Sequence, residues 1–102
     1  MKYVNLTPHA INLNDGRVFP PSGQVARVSA TFSTFVDDVC AQGFGEVENL
    51  PEPQADTRYI VSGLVLTAVS DRDDVVAPAT GHPDTQRNEK GHIVSVPGFV
   101  RS

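Results

Sequence analysis

The opening of the chain alternates polar and apolar side chains, and this constrains the fold more than any other stretch. Over residues 3–13, Tyr, Asn, Thr and His alternate with Val, Leu, Pro and Ala, a period typical of a half-buried strand. Pro8 has no N–H to donate, so the strand is expected at a sheet edge or kinked there. Asn14-Asp15-Gly16 tolerates positive φ angles and predicts a tight hairpin turn before a returning strand.

Further strands are predicted on both sides of an ambiguous central region. Residues 20–23 read Pro-Pro-Ser-Gly and break the chain, and residues 24–35 contain the alternating, β-branched and aromatic residues that favour strands. Asp37 is placed to cap one helical turn over residues 37–42. A short strand is then expected over residues 43–47.

The next segment leaves helix and strand open. Residues 57–61 carry the strongest strand signal of the chain. After them, Ser62 can cap a short helix, whereas the β-branched content of residues 62–69 favours a continuing strand. Periodicity alone does not separate these alternatives in a short apolar run.

The C-terminal third is predicted to close the sheet. Residues 75–78 form a short strand that ends at a proline, and residues 79–91 have the composition of a long loop. Residues 92–100 are expected to form a last strand paired with residues 75–78.

Length and patterning together predict one small domain over residues 1–102. We expect an α+β fold dominated by an antiparallel sheet, with one or two short helices. Small domains with exposed sheet edges often gain core by association, so a homo-oligomer is expected.

Charge and cysteine content restrict the partners and the compartment. The net charge of −4 argues against a groove for long nucleic acid, which needs a basic face. A small anion held by two or three arginines is compatible with this net charge, because local charge decides such binding.

Cys40 is the only cysteine, so no intrachain disulfide forms, which fits a reducing cytoplasm. No apolar run approaches the roughly 18 residues of a membrane span, so no membrane association is expected.

Catalytic signatures are missing from the sequence. The three histidines and Cys40 do not have the spacing of metal ligands. There is no Gly-x-Ser-x-Gly elbow and no glycine-rich phosphate loop. We therefore expect no catalytic residues, no metal and no cofactor, and a binding protein rather than an enzyme.

Arg72 is the first candidate for a binding side chain. It lies among Asp71, Asp73 and Asp74, and its planar guanidinium matches two oxygens of a phosphate or carboxylate. The alternative, favoured here, is a local pair between Arg72 and a neighbouring carboxylate in a solvated turn.

Arginine and aromatic side chains also occur together near residues 58 and 100. Arg58, Tyr59, Phe99 and Arg101 combine guanidinium groups with rings on which a base can stack. The alternative places Tyr59 in the core, since only seven aromatic residues serve the whole chain.

Asn5, Thr7 and His9 form a polar row in the opening segment. They could present donors to a ligand or to a neighbouring subunit. The favoured reading is structural, with the Thr7 side chain stabilising the backbone around the proline kink.

The segment Asn5-Leu6-Thr7-Pro8-His9 resembles the start of a family of small phage and prophage proteins. Similar residues recur over most of the chain, at 21–23, 50–51, 59–62, 72–78 and, weakly, 91–99. The resemblance favours a short helix after Ser62. The chain is also similar to the sponge proteins that phages use against the Thoeris defence, which bind cyclic ADP-ribose isomers or cyclic oligonucleotides without cleaving them. Sites at subunit interfaces of β-rich oligomers are implied.

The resemblance implies a non-enzymatic anti-defence protein that sequesters a small cyclic nucleotide signal in the cytoplasm of a bacterial host. Its expected ligand-binding residues are four arginines and two aromatic residues: Arg27, Arg58, Arg72, Arg101, Tyr59 and Phe99. The alternative is an acidic protein–protein inhibitor of a host defence complex, similar to an anti-CRISPR protein, in which the carboxylates of residues 46–56 and 71–74 make the contacts. A phage accessory protein is the third possibility.

Overall fold

The computed structural model describes residues 1–102 as a small β-rich domain with one short helix. In chain order the elements are β1 (Lys2–Asn5), β2 (Ile11–Asn12), β3 (Val18–Phe19), β4 (Arg27–Phe32), β5 (Gln42–Glu48), β6 (Thr57–Ile60), α1 (Gly63–Ala68), β7 (Val75–Pro78), β8 (Gln86–Arg87), β9 (Ile93–Ser95) and β10 (Phe99–Val100). The structure contains no helix with the length and apolar character needed to cross a membrane.

The central sheet has four strands in the order β1-β6-β7-β10. Strand β6 is parallel to both of its neighbours, β1 and β7, and only β10 pairs in the antiparallel direction. Antiparallel pairing, as predicted, is found in the three two-stranded sheets β2-β3, β4-β5 and β8-β9. The mixed central sheet was not predicted, because residue patterns report which residues form strands and not the direction in which distant strands pair.

Helix α1 is the crossover that parallel pairing of β6 and β7 requires. The Ser62 hydroxyl accepts a hydrogen bond from the backbone N–H of Val65 over 3.3 Å and caps the helix. Val65 and Leu66 face the core. The structure thus resolves the ambiguity of this segment in favour of the short helix, and the predicted cap is confirmed.

The main core lies between the sheet and the helix. One face of the sheet contributes four buried side chains to the core, because alternate residues of a strand share a face. They are Tyr59 and Val61, from β6 and the residue after it, and Val75 and Ala77 from β7. This face packs against Leu6, Ala26, Val65 and Leu66, and all eight side chains are buried. Hydrophobic burial of this cluster holds α1 on the sheet.

The opposite face of the sheet is covered by the hairpin β2–β3. Ile60 and Val76 are partners on that face, and both are buried. The hairpin lies against it, because the rings of Phe19 and Tyr3 are 5.0 Å apart. The predicted turn is confirmed: Gly16 has a φ of 95° and Leu13 pairs with Arg17 across the loop.

Residues 37–42 form no helical turn, so that prediction is wrong. Asp37 and Asp38 have φ angles of 50° and 66°, and Val36 and Val39 bridge across them. Aspartate tolerates this left-handed backbone better than most residues. The two residues therefore close the hairpin between β4 and β5.

The β4–β5 hairpin, residues 27–48 and called the arm here, packs on the core at its base through Val28 and Val47 and exposes its far end. The radius of gyration is 15.3 Å, whereas a compact chain of this length has about 13 Å. Phe32, Phe35, Val36 and Val39 on the arm expose 65–72% of their surface. The arm therefore carries an apolar surface that this chain itself does not cover.

The C-terminal segment is more divided than predicted. Strand β9 pairs with β8, which arises inside the predicted loop of residues 79–91. Only β10 pairs with β7, through the partners Phe99 with Pro78 and Val100 with Ala77. The expected pairing with residues 75–78 is confirmed for residues 99–100 alone.

Candidate functional site

An arginine-lined pocket of about 330 Å³ opens on the hairpin-covered face of the sheet. It lies at the amino-terminal ends of the parallel strands, where β6 begins and where the chain enters β7. Three arginines, two aromatic rings and one carboxylate define this arginine pocket: Arg17, Arg58, Arg101, Tyr3, Phe99 and Asp73.

Two stacked rings line the arginine pocket, and a third ring supports them from behind. Tyr3 and Phe99, from the two edge strands of the sheet, stack with centroids 5.5 Å apart and planes inclined by 27°. Phe19 meets both of them edge-on, at 5.0 and 5.5 Å. Such pairs contribute about 0.5–1.5 kcal/mol each beyond their buried area. The rings are therefore held in place before any ligand arrives.

Arg58 is positioned by the register of the parallel pair β1–β6. It is the partner of Tyr3, so both side chains project from the same face. Its Nη1 donates a hydrogen bond to the Tyr3 hydroxyl over 3.1 Å, and its guanidinium carbon lies 6.0 Å from the Tyr3 ring centroid. A guanidinium has five N–H donors, so four remain for an anion.

The electrostatics of the pocket differ from those of the whole chain. Arg17 is paired with Asp15 over 2.9 Å at an exposed position, and the backbone N–H of Arg17 is the main cause that lowers the pKa of the Asp15 carboxyl. Arg101 makes no hydrogen bond or ion pair. Asp73 is the only carboxylate in the lining, so the pocket is locally basic in a chain of net charge −4.

The structure brings together three of the six side chains that the sequence nominated: Arg58, Phe99 and Arg101. Arg27 lies elsewhere, in a shallow groove beside Glu46 and Glu48. Tyr59 is 1% exposed in the core on the opposite face, so its ring offers no surface for a base.

Arg72 is committed to an internal ion pair. Its Nε and Nη2 donate to the two carboxylate oxygens of Asp74 over 2.9 and 2.7 Å, and Nη2 also donates to the Pro51 carbonyl over 3.0 Å. The hydrogen bonds from Arg72 lower the pKa of Asp74, and those to Asp74 raise the pKa of Arg72. This geometry matches the structural interpretation of the charged turn and leaves Arg72 little capacity for a ligand.

Tyr3 and Arg17 were missed by sequence reasoning. Tyr3 was recognised only as one polar position of an alternating strand, and Arg17 only as the start of a returning strand. Their place in the pocket depends on the β1–β6 register and on the hairpin folding over the sheet. The one available signal was that Tyr3 is among only two tyrosines in the chain.

The polar row of the opening segment serves the backbone. The Asn5 side chain donates to the carbonyls of His9 and Phe19 over 2.9 and 2.8 Å. Its oxygen accepts from both the N–H and the hydroxyl of Thr7. These bonds close the turn around Pro8 and end β1 at Asn5, so the predicted strand over residues 3–13 is interrupted.

Comparisons of the chain with protein-family models, with curated proteins and with solved structures found no match. No group of three or more His, Cys, Asp or Glu side chains is arranged to hold a metal ion. The arginine pocket therefore has to be interpreted from its own chemistry. Guanidinium groups beside partly exposed aromatic rings suit an anion that carries a flat aromatic group.

Proposed function

We propose that this protein binds a small cyclic nucleotide and holds it without cleaving it. The observation that carries the proposal is the placement of Arg58 and Arg101 beside the stacked rings of Tyr3 and Phe99. The ligand class is a cyclic ADP-ribose isomer or a cyclic oligonucleotide, as the resemblance of the opening segment implies. The protein then acts as a sponge for an immune signal in the cytoplasm of a phage-infected bacterium.

The two parts of a nucleotide match the two kinds of side chain in the pocket. A phosphate accepts paired hydrogen bonds from a guanidinium, and Arg58 and Arg101 supply them. A base stacks on an aromatic ring, which contributes about 1–3 kcal/mol per base. Phe99 is partly exposed and is the ring we assign to this contact.

The size of the arginine pocket supports a shared site. Its volume of about 330 Å³ is at the lower end of the range of about 300–1,000 Å³ for ligand sites. A cyclic dinucleotide would fill it with one nucleotide and leave the other outside. A second copy of this chain is the proposed cover for the outer part.

The β4–β5 arm is the proposed contact between copies. Three phenylalanines of the arm, Phe32, Phe35 and Phe44, expose 65%, 72% and 39% of their surface. If a fully buried ring removes about 200 Å² from water, the area that these three can still bury is on the order of 350 Å². A standard interface buries about 800 Å² on each partner. An isolated two-stranded hairpin is also marginally stable. Pairing of the arms of two copies would cover this apolar surface and would extend the two-stranded β4–β5 sheet.

Binding is tested by calorimetric titration of the purified protein with cyclic ADP-ribose isomers and cyclic di- and trinucleotides. One ligand should bind and be recovered chemically intact by mass spectrometry. Arg58→Ala and Arg101→Ala should each weaken it at least tenfold, while Arg27→Ala, on β4, leaves the affinity unchanged. Gly98→Leu should also block binding, because a Cβ at Gly98 meets open space and fills the pocket without a clash. Full affinity in all three pocket variants would refute the assigned site.

Absence of binding across the whole panel would refute the sponge function. The protein–protein inhibitor would then be the next hypothesis to test, by pull-down from host lysate at low and high salt. Contacts made by carboxylates weaken with ionic strength.

A further inference from the structure

The one acidic side chain of the arginine pocket has no partner within the chain. Asp73 lines the pocket beside its three arginines, and the ion pairs of the chain join other residues. The neighbours of Asp73 bond to each other, Arg72 to Asp74 over 2.9 and 2.7 Å. The carboxylate of Asp73 is therefore left to accept hydrogen bonds from a ligand.

The backbone around Asp73 is fixed on both sides. Before it, the N–H of Arg72 donates to the Val69 carbonyl over 3.1 Å. After it, the carbonyl of Asp74 accepts from the N–H of Tyr59 over 2.9 Å. Asp73 itself is exposed. These bonds hold it beside the pocket, where the chain enters β7, before any ligand arrives.

A carboxylate in a pocket for anions restricts what can bind there. It repels the phosphates that the arginines attract, and in its ionised form it only accepts hydrogen bonds. A ligand with phosphates and acceptors alone would bring like charge toward Asp73 and gain nothing from it. The ligand that fits both kinds of side chain carries hydrogen-bond donors in addition to its phosphates.

The order of side chains along β7 indicates which part of the ligand lies at Asp73. Phe99 pairs with the last residue of β7, and Arg101 follows two positions later on the antiparallel chain, toward the start of β7. Arg58 precedes the residue that pairs with the first position of β7, so it is level with the chain just after Asp73. The ring, the guanidinium groups and the carboxylate therefore follow one another. In a nucleotide that continues beyond its phosphates into a second ribose, the base, the phosphates and that ribose have the same order.

We propose that Asp73 accepts hydrogen bonds from two neighbouring hydroxyls of this second ribose and thereby selects nucleotides that have a free vicinal diol. The inference rests on the proposed function, since the arginines have to hold the phosphates. The two oxygens of a carboxylate match two adjacent O–H donors, and acidic side chains bond to a ribose hydroxyl in dinucleotide-binding folds. An O-linked cyclic ADP-ribose isomer keeps such a diol on its second ribose. In a cyclic dinucleotide with 3′–5′ links every 3′ oxygen is esterified, so neither ribose has the diol.

The probes are an O-linked cyclic ADP-ribose isomer and cyclic di-AMP, which both carry adenine and two phosphate charges and differ in the diol. Each is titrated calorimetrically into the full chain and into its Asp73→Ala, Asp71→Ala and Arg58→Ala variants. Asp73→Ala should weaken the probe with the diol about tenfold, as the loss of a charged hydrogen bond predicts. The same variant should strengthen binding of cyclic di-AMP about threefold, because a like charge is removed.

Asp71→Ala is the matched control, because it removes an exposed carboxylate from the same turn that does not line the pocket. It should leave both affinities unchanged, and Arg58→Ala should weaken both. An equal change for both probes in Asp73→Ala, with both weakened by Arg58→Ala, would overturn the role of Asp73 and leave the proposed function standing.

Two further outcomes would also overturn the role of Asp73. Tighter binding of cyclic di-GMP than of cyclic di-AMP, lost in Asp73→Ala, would mean that the carboxylate binds the edge of guanine and not a diol. Absence of binding of either probe to the parent chain would refute the proposed function and this inference together.

Discussion

Arg58 and Tyr3 occupy partner positions on two parallel strands, and the guanidinium of Arg58 donates a hydrogen bond to the Tyr3 hydroxyl over 3.1 Å. The two residues are 55 positions apart in the sequence. Their contact exists because β1 and β6 pair in one register, and it sets the direction in which the guanidinium faces the pocket.

Tyr3→Phe tests this positioning. The substitution keeps the ring stack with Phe99 and removes only the hydroxyl, so the free energy of unfolding should fall by less than about 1 kcal/mol. Affinity for the cyclic nucleotide should fall about two- to fivefold, because Arg58 loses an anchor and keeps its charge. Calorimetric titration beside Arg58→Ala gives the comparison. A loss as large as that of Arg58→Ala would mean that the Tyr3 hydroxyl itself contacts the ligand.

Tyr59 should affect stability and not ligand binding. Its hydroxyl donates to the Glu52 carbonyl over 3.1 Å in the core. Tyr59→Phe should lower the free energy of unfolding by about 1 kcal/mol and leave nucleotide affinity unchanged. Urea denaturation and titration of the same preparation measure the two effects. Weaker nucleotide binding by a variant of native stability would return Tyr59 to the binding site.

The Arg72–Asp74 pair should make stability depend on acid pH. Asp74 has a pKa below its ordinary value of 3.8 because Arg72 bonds to its carboxylate. Its stabilisation is therefore complete above pH 3.8 and is lost as the pH falls through the lower, folded pKa. Urea denaturation between pH 6 and pH 2 should show this loss, and it should be smaller in Asp74→Asn.

Arg72→Ala should be destabilising at neutral pH. It leaves the Asp74 carboxylate, whose side chain is 15% exposed, without its main partner, which costs about 1–3 kcal/mol. Arg72→Lys should recover only part of the loss, because an ammonium does not form the two parallel bonds. Equal stability of Arg72→Ala and the parent chain would show that water replaces the pair without cost.

Ser62 should matter through the cap of α1. Ser62→Ala removes the acceptor for the Val65 N–H, and loss of such a cap costs about 1 kcal/mol. Ser62→Asp keeps an acceptor and should retain the stability of the parent chain. Thermal unfolding of the three proteins measures the difference. Identical midpoints for Ser62→Ala and the parent chain would argue against the cap.

The arm should control association between copies. Phe32→Ser and Phe35→Ser alter side chains that are 65% and 72% exposed, so the monomer should remain folded while the proposed oligomer dissociates. Val18→Ser changes an apolar side chain that is 56% exposed outside the arm and serves as the control. Light scattering across a concentration series measures the mass. An unchanged mass in both arm variants would place the interface elsewhere.

Local signals in the sequence predicted the local elements. The β-branched run at residues 57–61 and the cap at Ser62 each act over a few residues, and both elements are present. The alternation before Gly16 gave two short strands, β1 and β2, separated by the turn around Pro8. The prediction failed at Asp37, where the same residue type that caps helices adopted a positive φ in a hairpin turn. Capping and left-handed turns use the same short carboxylate, so composition alone did not separate them.

For the candidate site, the sequence supplied the residue types and the tertiary structure decided which of them meet. Arg58, Phe99 and Arg101 were nominated as an arginine and aromatic set, but alternation along β6 sent Tyr59 to the core face and Arg58 to the pocket face. Arg72 forms an ion pair with Asp74 instead of lining the pocket. Tyr3 lines the pocket because the β1–β6 register places it beside Arg58. The hydrophobic period and the strand or helix propensity of the residues act within one segment. The direction and register of strand pairing are decided when several segments are buried together. That is why several elements followed from the sequence, whereas the candidate site followed only from the folded chain.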